Sequence, residues 1–235
     1  MLLDKYVSRV DFNSYEDFCR DFRILVPESF NFAYDVVDEY ARIDPGKTAL
    51  VWCDEHGREA SFTFGEMKEA SDRTANLFRA QGIRKGDPVM LILKRRYEFW
   101  FCLLALHKLG AVAIPATHLL TPKDLVYRNN AASIKMVVAV AEPQIMEHVD
   151  AARPKSPTLE KQVLVGGSRP GWIDFDAEYQ RTDPAFQKPS AEDLPQNGDI
   201  SLLYFTSGTT GYPKMVCHNF TYPLGHILTA KYWQC

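Results

Sequence analysis

The residues with the clearest capacity for chemistry lie close together near the end of the chain. Residues 204–215 read YFTSGTTGYPKM, so that Thr206, Ser207, Gly208, Thr209, Thr210, Gly211, Tyr212, Pro213 and Lys214 directly follow a short apolar run. Gly208 and Gly211 let a backbone curl until successive N–H groups converge on one point, which makes an anion nest. Thr206, Ser207, Thr209 and Thr210 add hydroxyl donors suited to phosphate oxygens. Lys214 adds a mobile positive charge, and Pro213 restricts the backbone just before it. The spacing is not that of a Walker loop. A bare Ser/Thr/Gly tract is also ordinary loop material, and Lys214 also fits a purely solvated role. The ordered succession of strand, SGTTG, Pro and Lys favours an anion grip over a plain surface loop.

Such a loop works only if the fold delivers it to an open edge. DISLLYF at residues 199–205 reads as a buried strand, and a strand ending in this loop places it at the carboxyl edge of a sheet, where α/β folds bind ligands. Upstream, Ser14 caps a helix expected over residues 15–25 and ended by Pro27, and Ala33, Val36, Val37, Tyr40 and Ala41 form a second helical stripe. TALVWC (48–53) and ASFTF (60–64) read as a hairpin. A helix over residues 66–79 follows, with Gly82 as its stop.

From there apolar runs alternate with helical stretches. PVMLIL (88–93), AVAIP (111–115), KMVVAV (135–140) and QVLV (162–165) are strands, separated by helices over residues 97–110, from Thr121-Pro122 onward and around 143–151. Continuous apolar strands alternating with helices mean an α/β fold: a parallel sheet with helices on both faces, here preceded by an early β-hairpin. Residues 183–198, rich in Pro, Asp and Gln without periodicity, read as a linker. The stripe Phe99, Trp100, Leu103 and Leu104 is expected in the helix core, and Lys94-Arg95-Arg96 at a solvated strand end. The last periodic segment, residues 222–233, carries no terminating signal, which suggests a piece of a longer protein.

Composition narrows the function classes. The 235 residues are 46% hydrophobic and 24% charged with net charge −3, which argues for a globular domain and gives no electrostatic case for nucleic acid or a membrane surface. The most apolar run, residues 99–106, is too short to span a bilayer. Five widely spaced cysteines without a CxxC pair predict reduced thiols and no structural zinc, and with no signal peptide the expected compartment is cytoplasmic. Cys217-His218 suggests a thiol and a base, but neighbours on a strand face opposite ways. His218 and His226 lack a third metal ligand, so no metal site and no catalytic side chain is assigned within the chain.

Residues 206–214 resemble the phosphate-binding signature of the adenylate-forming superfamily, which includes acyl-CoA synthetases, luciferases and peptide-synthetase adenylation domains. The resemblance extends to SFTFGEMKEASDRTANLF (61–78) and LALHKLGAVAIPAT (104–117). FNFAYDVVDEYA (30–41), DLVYR (124–128) and GWIDF (171–175) look most like the medium-chain acyl-CoA synthetase branch. Met215 stands where much of the superfamily has glycine, as in that branch.

The resemblance implies a carboxylic acid substrate, ATP with Mg²⁺, and coenzyme A as acceptor. The acid attacks the α-phosphate to give an acyl-adenylate and pyrophosphate, and the thiol of coenzyme A then displaces AMP. The loop's implied task is to hold the β- and γ-phosphates and neutralise the departing pyrophosphate. It also implies that residues 1–182 are a first α/β subdomain and 199–235 the opening of a second. The family's later adenine, ribose, hinge and C-terminal lysine motifs do not occur before Cys235, so the chain alone is expected not to complete catalysis. His118 and Leu119 lie where the family's coenzyme A channel has a wall, with a plain loop role as the alternative. Two other readings remain open: an adenylating enzyme with a different acceptor, and a non-catalytic nucleotide-binding or interaction fragment.

Overall fold

The structure, a computed structural model, describes residues 2–190, 192–207 and 211–234. Its centre is a sheet of seven strands in the order β7 (Ile173–Asp174), β6 (Lys161–Val165), β5 (Met136–Val140), β3 (Pro88–Ile92), β4 (Val112–Pro115), β8 (Ile200–Thr206) and β9 (Lys214–Asn219). Helix α1 (Tyr15–Asp21) starts where Ser14 accepts a hydrogen bond from the Asp17 amide (3.1 Å). It ends well before the expected residue 25. Phe22 is already extended, because the strip after it bridges back to the N-terminus through Val7 and Ile24, and the Leu25 amide donates to the Tyr6 carbonyl (2.8 Å). A wide helical turn, Ala33–Asp38, runs on into α2 (Glu39–Ile43).

The expected hairpin is present as β1 (Thr48–Cys53) and β2 (Glu59–Thr63). Asp54 closes its turn by accepting from the amides of His56 and Arg58 (2.9 Å each). Thr63 and Glu66 then form a reciprocal capping box that starts α3 (Phe64–Ala80) two residues earlier than the apolar spacing suggests. Gly82 follows α3 with φ +92°.

Next come β3 (Pro88–Ile92), α4 (Glu98–Leu109), β4 (Val112–Pro115), α5 (Pro122–Ala131), β5 (Met136–Val140), α6 (Pro143–Ala152) and β6 (Lys161–Val165). Gly110 ends α4 in the left-handed region (φ +69°). The pairings among β3–β6 are all parallel, and their residues are almost wholly buried, as a sheet covered on both faces requires. One helical layer contains α3 and α4; α5 pairs with α6. The α/β class is as the alternation indicated.

GWIDF holds two elements that were not foreseen. It supplies a two-residue strand, β7 (Ile173–Asp174), and starts α7 (Phe175–Arg181), which packs on α3. Strand β7 is too short to carry any periodicity. Two other expectations are corrected. Phe99 and Leu103 pack on the core and Leu104 is buried, but Trp100 is 45% exposed, because α4 turns that position outward. The basic run keeps its exposed strand end at Lys94, which pairs with Glu142 (2.7 Å), and at Arg95, but Arg96 is half-buried and held by the buried Glu98.

The C-terminal end of α4 carries two buried ionisable groups. The Lys108 ammonium, fully buried, lies 2.6 Å from Asp72 of α3 and 2.8 Å from Asp38, and Lys68 reaches the other Asp72 oxygen (2.5 Å). Burial pushes the Asp38 carboxyl up, against the opposing pull of Lys108. His107, beside Phe220, has its pKa pushed down to about 4 by burial. The unfolded chain therefore takes up a proton as pH falls through about 6.5, while the folded chain does so only near 4, so stability falls with pH across that window. His107→Leu is expected to remove about 2 kcal/mol of the stability difference between pH 7 and pH 5. Urea unfolding at both pH values checks this, and an unchanged difference would exclude a buried neutral imidazole.

Candidate functional site

The candidate site is built on β8 (Ile200–Thr206) and β9 (Lys214–Asn219). Apolar Leu202 and Leu203 are buried and fix β8 beside β4, with Ala113 opposite Leu202 in parallel register. Strand β9 returns antiparallel, with Thr206 opposite Lys214. Because β8 runs parallel to β3 and β4, its last residue, Thr206, reaches the carboxyl edge of the sheet, and Lys214, which opens β9, lies opposite it there. The β4–α5 loop, with exposed His118 and Leu119, leaves the same edge.

Of the nine residues singled out, Thr206, Ser207, Gly211, Tyr212, Pro213 and Lys214 are described; Gly208, Thr209 and Thr210 lie outside the described residues. Thr206, Ser207 and Lys214 are exposed, and Lys214 forms no ion pair among the described residues. Gly211 has φ +91°, a conformation that a Cβ would strain. Thr206 Oγ1 stands 3.5 Å from the Lys214 carbonyl across the base of the loop. The arrangement offers hydroxyl donors and an ammonium without an ion-pair partner among the described residues, a donor set that fits an anion with several oxygens.

The periodic pattern gave no indication of what supports the loop from below. The Tyr127 hydroxyl, on α5, donates to the Pro213 carbonyl (2.9 Å), and its ring lies 5.0 Å from that of Tyr212. Next to it, the Arg128 guanidinium stands over the Phe205 ring at 5.2 Å, and burial pushes its pKa down. These contacts join positions about eighty residues apart in the chain, a separation no local pattern reports.

The remaining polar candidates do not gather into a second site. Cys217 lies opposite Leu203 and His218 opposite Leu202, so the two side chains take opposite faces. His218 packs on Tyr222 (3.9 Å), and His226 meets the same ring edge-on (4.6 Å). No group of three metal-ligating side chains occurs among the described residues. A cavity of about 460 Å³ between the hairpin, α3, α4 and α7 is lined by none of the loop residues.

Residues 37–234 match the family model described as AMP-binding enzyme. The chain belongs to this family. Within the AMP-binding family, one similar protein is "Acyl-coenzyme A synthetase ACSM5, mitochondrial" of Rattus norvegicus, 37% identical over 88% of this chain and 36% of the relative. Another is "Acyl-coenzyme A synthetase ACSM3, mitochondrial" of Pongo abelii, 32% identical over 95% of this chain and 38% of the relative. The chain thus spans well under half the length of these AMP-binding relatives.

Among solved structures, an anthranilate CoA ligase, AuaEII, in complex with anthranoyl-AMP shares the fold with a TM-score of 0.76 at 24% identity. The match covers 88% of this chain and 38% of that one. An inhibitor-bound N-terminal domain of FACL13 from Mycobacterium tuberculosis matches with a TM-score of 0.68 at 23% identity, over 81% of this chain and 44% of that one. No helix among the described residues is long and apolar enough to cross a membrane.

Proposed function

We propose that this chain is the N-terminal part of an AMP-forming acyl-CoA synthetase. The complete enzyme activates a carboxylic acid of the medium-chain fatty class with ATP, giving an acyl-adenylate, and transfers the acyl group to coenzyme A. The observation that carries the reading is the two described limbs, residues 206–207 and 211–214, with exposed hydroxyls, a left-handed glycine and a lysine that forms no ion pair among the described residues, at the carboxyl edge of a parallel sheet. The relatives named as acyl-coenzyme A synthetases favour coenzyme A over another acceptor.

In this reading Thr206, Ser207, Gly208, Thr209, Thr210, Gly211, Tyr212, Pro213 and Lys214 hold the phosphates of ATP. Hydroxyls and amides orient the triphosphate, while Lys214 offsets charge on the pyrophosphate as it leaves. Mg²⁺, a hard cation, is bound largely through the phosphate oxygens and supplies further neutralisation. Residues 1–182 form a first subdomain, 183–198 a linker and 199–235 the start of a second.

The complete protein is expected to release pyrophosphate with at least one acid from a panel of straight-chain and aromatic carboxylates. Release with none of them would sink the enzymatic reading. The 235-residue chain alone is expected to give no ATP–pyrophosphate exchange, and observed exchange would refute the division of labour proposed here.

A further inference from the structure

We propose that Tyr127 is a positioning residue for the phosphate-binding loop: its phenol holds the returning limb so that Lys214 is aimed over the carboxyl edge. The inference rests on the reading of residues 206–214 as a phosphate grip. Tyr127 touches both limbs of the loop. Its ring meets Phe205, on the outgoing strand, edge-on at 6.3 Å and lies against Tyr212 on the way back at 5.0 Å. Its hydroxyl donates to the Pro213 carbonyl at 2.9 Å.

That acceptor is well placed for control. Proline has no N–H, so its carbonyl is the only backbone group through which residue 213 can be tied down. The same carbonyl belongs to the peptide plane that contains the Lys214 nitrogen, so fixing it fixes the direction in which Lys214 leaves the backbone. Two residues before it, Gly211 has φ +91°, a permissive point where an unrestrained limb has many alternatives.

The base of the clamp is rigid. Helix α5 begins in a capping box between Thr121 and Asp124 with Pro122 in the first turn, and its Leu125 is buried in the main core. The adjacent Arg128 stacks over Phe205, so two consecutive α5 residues hold the strand that leads into the loop. A mobile lysine pays conformational entropy when it meets an anion, and a limb already fixed leaves less to lose.

The test compares Tyr127→Phe, which keeps the ring and removes the hydroxyl, with Tyr127→Leu, which removes both. Two readouts are used on the complete protein: Mg·ATP affinity by titration calorimetry, and the rate of trypsin cleavage after Lys214. Tyr127→Phe is expected to weaken Mg·ATP about fivefold, the loss of one neutral hydrogen bond, and to speed cleavage after Lys214, with Tm unchanged. Tyr127→Leu is expected to weaken binding further and to lower Tm.

A role in packing alone predicts that Tyr127→Phe behaves as the unsubstituted protein in both readouts, and that result would overturn the proposal. If the unsubstituted protein fails to bind Mg·ATP, the phosphate reading itself falls. The cleavage rate then still decides whether Tyr127 fixes the limb, and equal rates for the unsubstituted protein and Tyr127→Phe would end the inference.

Discussion

Replacing Lys108 by Met is expected to destabilise the chain by about 3–5 kcal/mol, the usual cost of removing one partner from a buried ion pair. The ammonium is fully buried between Asp72 and Asp38 and is the only cation that forms an ion pair with Asp38 among the described residues. Methionine fills a similar volume, so packing is largely kept and the loss reads out charge. Lys68 still neutralises one oxygen of Asp72, which keeps the effect below that of an isolated buried carboxylate.

The companion variant separates the causes. Lys108→Met combined with Asp72→Leu is expected to regain part of the lost stability, because one of the abandoned carboxylates is gone. Urea denaturation of the single and double variants measures both terms. A single-variant loss below about 1 kcal/mol would mean that water reaches the group and that the network does not hold α4 to α3.

If the complete protein has the proposed activity, Lys214→Ala in it is expected to slow ATP–pyrophosphate exchange by about 100-fold, the scale on which one charged or hydrogen-bonding contact to a developing anion acts. Lys214 is exposed at the first position of β9 and has no competing ion pair among the described residues, so its charge is available to a ligand. Lys214→Arg should retain part of the rate, since the charge survives while its geometry changes. On the proposed reading the loop meets the phosphates and not the acid, so the acid's KM should move little. A loss under threefold for Lys214→Ala would assign this lysine to solvent and leave the amides and hydroxyls as the whole of the grip.

Much of the architecture was legible because its signals are local. The buried strands announce themselves as unbroken apolar runs such as MVVAV, and Gly110 and Thr121-Pro122 punctuate α4 and α5 where those residue types are needed. The failures share a different cause. Helix α1 stops after Asp21 because the segment that follows finds a backbone partner near Tyr6, a choice its own residues do not encode. Trp100 is apolar yet exposed, since a hydrophobic residue is permitted at the surface whenever no neighbour comes to cover it.

The candidate site divides along the same line. Sequence alone determined the composition of the loop: two glycines, four Ser/Thr hydroxyls, a proline and a lysine in fixed order after a strand. Covalent neighbours carry that information, so no fold is needed to read it. Only the tertiary structure decided that β8 lies beside β4 with its end at the carboxyl edge, and that Tyr127 holds Pro213 from below. Those relations join residues that are far apart in the chain, and they exist only once burial of the parallel sheet has drawn α5 and β8 together.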